Sequence, residues 1–278
     1  MRSLPAPIYD SVLIYDSIVK EKRRFTPKRL KKIRTDVHDA YRSYMAHSYC
    51  LEKLAPITIL PLHVKSLIHA YVTETKSMRS LRADLLKPDL DDFAHCPYCG
   101  INEPRTLDHY IPKESHPEFS IFPLNLIPIC NQCNSTYKGV KFLSAGKRIF
   151  LHSYLDAFPD FYFVVADISI GTKIEINFKI ESNPAYLEFS RLLAEHFNCL
   201  NLNDRFKYQA SVEIKVLRSS LHRIYQVNSD FSDVAQELNQ EADDLKKVLG
   251  KNHWKVALFR GLARSREYCD GGYAKLIK

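Results

Sequence analysis

No stretch of this chain approaches the ~20 consecutive apolar residues that span a bilayer. The N-terminus, MRSLPAPIYDSVLIYDSIVKEKRR, has no apolar run with a small-residue cleavage site of the kind a secretory leader carries. Glycine is scarce, with eight in 278 residues, which excludes collagen-like or low-complexity character. A disulfide framework is missing as well: the seven cysteines are odd in number, and Cys50, Cys199 and Cys269 are scattered singly. These absences lead us to expect a soluble protein of a reducing, cytoplasmic compartment with no membrane partner.

What remains is ordinary in bulk. Hydrophobic residues make 45% and charged residues 26% of a chain long enough for one large domain or two modest ones. The net charge of +8 and the pI near 9.0 point to a polyanionic partner, because clustered Lys and Arg bind phosphates by displacing counterions. Charge alone also fits basic proteins that bind no nucleic acid.

The N-terminal part is expected to be helical. Residues 8–18 are apolar at positions that fit a short helix or a strand equally well. A dense basic run follows, Lys20 to Arg34, with Lys or Arg at nine of fifteen positions. Thr26 and Pro27 suit the cap and first turn of a helix that would bury Leu30, Ile33, Val37, Tyr41 and Tyr44. Its other face would show Lys28, Lys31, Lys32 and Arg42, a solvated face or a nucleic-acid contact. Further helices are expected around 62–72 and 75–86, where Arg79 and Arg82 could face phosphate or solvent. An acidic turn, Asp89, Asp91 and Asp92, comes next.

The C-terminal part starts with the clearest β signal. Val, Ile and Phe runs flank Gly171-Thr172 within residues 161–180, which reads as a hairpin with one buried face. Helices are expected over 184–199, 203–227, 231–249 and 252–268, with Asn183, Asn203 and Ser229 or Asp230 as caps and Gly250 as a stop. The last ten residues, CDGGYAKLIK, read as a loose tail, and no internal repeat is present.

Between these parts lies the stretch that carries chemistry, CPYCGINEPRTLDHYIPKESHPEFSIFPLNLIPICNQCNSTYK, Cys96 to Lys138. Two C-x-x-C pairs, Cys96/Cys99 and Cys130/Cys133, suit one tetrahedral structural Zn²⁺, with His95 a weaker alternative ligand. Asp108 offers a hard oxygen for Mg²⁺ or Mn²⁺, and His109 is an imidazole suited to deprotonating water. Neighbours in a strand point to opposite faces, so both can serve one site only if the backbone bends, as Pro112 allows.

The series C-x-x-C, Asp-His-x-x-Pro, Asn-Leu-x-x-x-Cys-x-x-Cys-Asn-x-x-x-Lys resembles the HNH, or ββα-metal, nuclease family in its zinc-bearing form. The resemblance implies that a two-stranded ribbon and a helix grip one divalent ion. It implies His109 as general base, Asp108 as metal ligand and Asn125 as a brace that pins the loop and orients the base. Asn134 stands where the last histidine of the family name usually sits. Its amide oxygen would then be the second ligand, and a harder one than imidazole. Lys138 could reach a phosphate, and His116 is expected to be a loop residue.

The expected class is therefore α+β: a ββα-metal core stapled by a Cys₄ zinc site, flanked by an N-terminal helical region and a C-terminal hairpin with helices. The corresponding divisions are 1–90, 91–150 and 151–278. The function implied is a metal-dependent endonuclease acting on nucleic acid, with DNA the expected substrate. The family resemblance extends to effectors of bacterial anti-phage defence systems, which adds a protein partner such as an ATPase. The competing reading is a zinc-stabilised nucleic-acid-binding subunit without catalysis.

Overall fold

A computed structural model describes residues 1–87 and 95–278, so the acidic stretch Asp89, Asp91 and Asp92 lies outside the described residues. The chain divides into two compact units, Ser3–Ala157 and Met1–Arg2 with Phe158–Lys278. Helices and small antiparallel strands together give the expected α+β class.

The Ser3–Ala157 unit begins with α1 (Ser11–Glu21), which settles the choice between helix and strand. Asp10 caps it, its carboxylate accepting from the backbone N–H of Val12 at 3.0 Å and Leu13 at 3.1 Å. The basic run does not form one long helix. It makes α2 (Thr26–Lys32) and α3 (Arg34–Ala46), because the Ile33 N–H bonds the Leu30 carbonyl at 3.2 Å and tightens the last turn shut. Thr26 lies inside α2, and Phe25, in the cap position, makes no side-chain cap bond. The expected buried face survives the break, since Leu30, Ile33, Val37, Tyr41 and Tyr44 are all buried. Then come α4 (Pro61–Val72) and α5 (Lys76–Leu86), the latter capped by Thr75 Oγ1 accepting from Met78 N–H at 3.2 Å.

Strands β1 (Thr106–His109) and β2 (Leu126–Ile129) pair antiparallel, with Asp108 opposite Ile127 and His109 opposite Leu126. All four residues of β2 are buried. Directly after it the chain makes a π-helical turn, Gln132–Lys138, ended by Gly139 at φ 53°. A two-residue ribbon, β3 (Leu143–Ser144) and β4 (Lys147–Arg148), follows. Aromatic packing ties the loop between β1 and β2 to α3: Tyr41 stacks on Phe122 at 4.3 Å, and Tyr44 meets Phe119 and Phe122 edge-on.

The other unit is built on the hairpin β5 (Val164–Ile170) and β6 (Ile174–Ile180), where Ile174, Ile176 and Phe178 are buried. Its helices are α6 (Leu187–Cys199), α7 (Leu202–Asn228), α8 (Phe231–Leu249), α9 (Trp254–Arg264) and α10 (Arg266–Cys269). Helix α9 lies against β5 so closely that a Cβ on Gly261 would stand 2.5 Å from the Ala166 carbonyl oxygen. Asn203 is no cap. It sits inside α7, accepts from Phe178 N–H at 2.9 Å and donates to Asn177 at 3.0 Å, pinning the hairpin. The last residues are not loose either, because Ile174 N–H bonds the Leu276 carbonyl at 2.7 Å and Lys278 N–H bonds Ile174 at 3.0 Å. The tail thereby satisfies an edge of β6 that would otherwise stay unpaired.

Candidate nuclease and metal site

The four cysteines come from two knuckles, one before β1 and one spanning the end of β2 and the π turn. Four sulfurs at about 2.3 Å from one zinc stand about 3.8 Å apart. Cys99 and Cys130 Sγ are 3.9 Å apart, and all four Sγ atoms lie within 4.8 Å of one another, buried. Backbone N–H groups of Ile101, Cys130 and Cys133 donate to the sulfurs of Cys99, Cys96 and Cys130 at 3.3–3.4 Å, which favours thiolates. The donor set and its size fit a zinc ion.

Asp108 leaves β1 into the interior, 3% exposed. One carboxylate oxygen, Oδ1, accepts from Lys138 Nζ at 3.0 Å; the other, Oδ2, is buried with no hydrogen-bond partner. Burial pushes this carboxyl above the usual carboxylate range, and the lysine ammonium pulls against it. An unpaired buried carboxylate oxygen is what a hard cation would satisfy.

Lys138 is not where the sequence placed it. It is fully buried, donating to Asp108 and to the His109 carbonyl, both at 3.0 Å, so it has no face to offer a phosphate. An unpaired ammonium or carboxylate is costly inside, and the two solve that problem for each other.

His109 has its Nε2 2.9 Å from the Ser120 carbonyl oxygen. A carbonyl can only accept, so Nε2 carries the proton and Nδ1 is the acceptor of the ring. Burial lowers its pKa to about 3, keeping the ring neutral. Tyr71, at the end of α4, meets His109 edge-on at 4.3 Å. Asn125 is buried and uses its whole amide: Oδ1 accepts from Ile111 N–H at 2.8 Å and Tyr44 Oη at 3.2 Å, and Nδ2 donates to the carbonyls of Ile111 at 3.0 Å and Phe119 at 3.3 Å.

Asn134 lies on the π turn with Nδ2 3.0 Å from Thr106 Oγ1 and 3.5 Å from the Leu107 carbonyl. Thr106 spends its own proton on the Ile129 carbonyl at 2.8 Å, so it must accept from Asn134, and this fixes which end of the amide is nitrogen. Thr106 and Asp108 share a face of β1, and Asn134 therefore stands on the Asp108 side of the strand. His116 is a loop strut, stacked on Phe119 with Nδ1 3.0 Å from Ser115 Oγ and Nε2 3.3 Å from the Leu54 carbonyl. Lys28, Lys31 and Lys32 are exposed on α2, which packs on α4.

Sequence reasoning gave no part in the site to Tyr44, Tyr71 or His152. The Tyr44 hydroxyl bridges Asn125 and the buried His152 Nε2 at 3.0 Å, so three distant parts of the chain meet behind the loop. Nothing in local spacing signals such a bridge.

Residues 96–138 match the family model described as HNH endonuclease. Among curated proteins, the chain is similar to Protein ea31 of Escherichia phage lambda, 30% identical over 190 residues, 63% of this chain and 64% of that protein. The chain thus spans less than two thirds of the length of that relative. No solved structure matches it. Asp108 and His109 on a ββ ribbon, a helical turn behind it and a four-cysteine cluster beneath make residues 96–138 an HNH endonuclease domain.

Proposed function

We propose that this chain is a divalent-metal-dependent endonuclease that hydrolyses phosphodiester bonds of nucleic acid, with DNA as substrate. The observation that carries this reading is the His109 ring, whose Nε2–H is fixed on the Ser120 carbonyl so that Nδ1 is left as a base. His109 would take the proton of the attacking water, entering the reaction neutral because burial holds its pKa near 3. Asn125 would keep the loop, and with it the imidazole, in place. Asp108 Oδ2 and the Asn134 amide oxygen would hold one Mg²⁺ or Mn²⁺. Such an ion supplies charge neutralisation at the phosphate and the departing oxygen. Cys96, Cys99, Cys130 and Cys133 would hold a structural Zn²⁺, and Lys28, Lys31 and Lys32 would add backbone contacts to the nucleic acid.

The test is cleavage of plasmid DNA, single-stranded DNA and RNA across Mg²⁺, Mn²⁺ and Ni²⁺ by the wild type and by His109→Ala. The expected result is DNA cleavage with Mg²⁺ or Mn²⁺ by the wild type and none by the variant, at equal zinc content and melting temperature. Cleavage retained by His109→Ala would sink the assignment.

One observation favours a second reading, a zinc-stabilised nucleic-acid-binding subunit without catalysis: Asp108 and His109 are only 3% and 7% exposed. That protein would bind with strong salt dependence and yield no product in any metal. A role as effector of anti-phage defence beside an ATPase partner rests on family resemblance alone, and the relative described above is itself a phage protein.

A further inference from the structure

A nuclease site needs a cation for the phosphates beside its base, and the Cys96–Lys138 stretch has little to give. It holds three: Lys138 is buried on Asp108, Arg105 is paired with Glu103 at 2.7 Å, and Lys113 with Glu114 at 2.8 Å. Another basic side chain reaches the site from outside the stretch: Arg82 is paired too, with Glu74, and differs from the last two in the aromatic ring it rests on. The Arg82 guanidinium, on α5, stands 4.9 Å from the centre of the Tyr71 ring, and that ring is the one that meets His109 at 4.3 Å. The Tyr71 hydroxyl donates a hydrogen bond to the carbonyl of Leu107, the residue before Asp108, at 3.4 Å. Glu74 Oε1 lies 2.9 Å from Arg82 Nε, and the arginine side chain remains 30% exposed.

We propose that Arg82, cradled by Tyr71 and Glu74, is a phosphate clamp of the site that positions the nucleic-acid backbone beside His109. The inference rests on the nuclease reading above. A guanidinium whose Nε side faces the Glu74 carboxylate keeps a planar fork at its other end whose geometry matches two phosphate oxygens. Stacking on Tyr71 orders the side chain beforehand, so less entropy is lost when a phosphate arrives. A bare staple between α4 and α5 would have no need of the Tyr71 ring on His109 and its hydroxyl on the Leu107 carbonyl.

The experiment reads duplex binding against salt in the His109→Ala background, and KM and kcat in the active enzyme, for Arg82→Ala, Arg82→Gln, Arg82→Lys and Lys113→Ala. Losing one phosphate contact should flatten the slope of log K on log salt by about 0.9. KM should rise about tenfold, with kcat changed less, for Arg82→Ala and Arg82→Gln. Arg82→Lys should keep the salt slope and lose part of the KM. Thermal melts identify any variant that has lost its fold, and Arg82→Gln preserves most of the packing. Unchanged slope and KM in both neutral variants overturn the proposal, as does a flattened slope in Lys113→Ala alone. If the wild type cuts nothing yet Arg82→Ala still flattens the slope, the nuclease reading fails and the clamp stands.

Discussion

Lys138 Nζ lies 3.0 Å from Asp108 Oδ1, with the lysine side chain fully withdrawn from solvent and the aspartate 3% exposed. The pair makes the carboxylate a fixed element of the interior. Lys138→Met should therefore destabilise the protein by about 3–5 kcal/mol, since it strands a buried charge. The double variant Asp108→Asn/Lys138→Met should recover much of that loss. Urea unfolding of the four members of this cycle measures it, and additive losses would show that the pair is not coupled.

Removal of zinc is expected to dismantle the ribbon. Both knuckles close on the same cluster, one ahead of β1 and the other at the end of β2. Chelation, or Cys130→Ser, should release about one zinc per chain and abolish cleavage, with loss of amide exchange protection at β1 and β2. Metal analysis and hydrogen exchange report the two halves of this expectation separately.

Asn125→Asp separates donation from acceptance. The carboxylate can still accept from Ile111 and Tyr44 but cannot donate to the Ile111 and Phe119 carbonyls. Two buried acceptors facing a buried charge should cost at least about 2 kcal/mol. Calorimetric melting checks this, and kcat should fall as the loop holding His109 loosens.

Metal choice should follow the residue at position 134. Asn134→His exchanges a hard amide oxygen for an imidazole, which suits Ni²⁺ and Zn²⁺ better than Mg²⁺. Cleavage compared across those ions should shift toward the transition metals in the variant. An unchanged preference would place Asn134 outside the coordination sphere.

Glu118 sets a pH dependence. It is fully buried, Oε2 has no partner, and burial raises its pKa to about 7. The folded state therefore keeps a proton that the unfolded chain releases near pH 4.5, so stability falls as pH rises from about 4.5 through 7. Glu118→Gln should remove this loss, with the two proteins diverging by roughly 2 kcal/mol between pH 5 and pH 8. Denaturant titrations at both pH values test the sign.

Short-range signals carried most of what could be read in advance. The cysteine spacing, the hairpin around Gly171 and the helices after Pro184 depend on neighbours a few residues apart, and they reappear in three dimensions. The break at Ile33 did not show, because the buried positions on either side keep a helical spacing through it. Lys138 was misplaced for a related reason: a lysine is expected in water unless its buried partner is known, and Asp108 is thirty residues away. Arg82 was open between phosphate and solvent, and only the packing of α4 and α5 against β1 sets it on the Tyr71 ring beside His109.

The bridge through Tyr44 bears on when the protein becomes competent. Its hydroxyl joins Asn125, 81 residues along the chain, to His152, 108 residues along. Contacts of such separation close late in folding, after local helices have formed. During synthesis α1 to α5 emerge first, then the ribbon, and the support behind Asn125 is complete only once His152 has left the ribosome. A nascent chain therefore carries the whole Cys96–Lys138 stretch before it can hold the His109 imidazole in position.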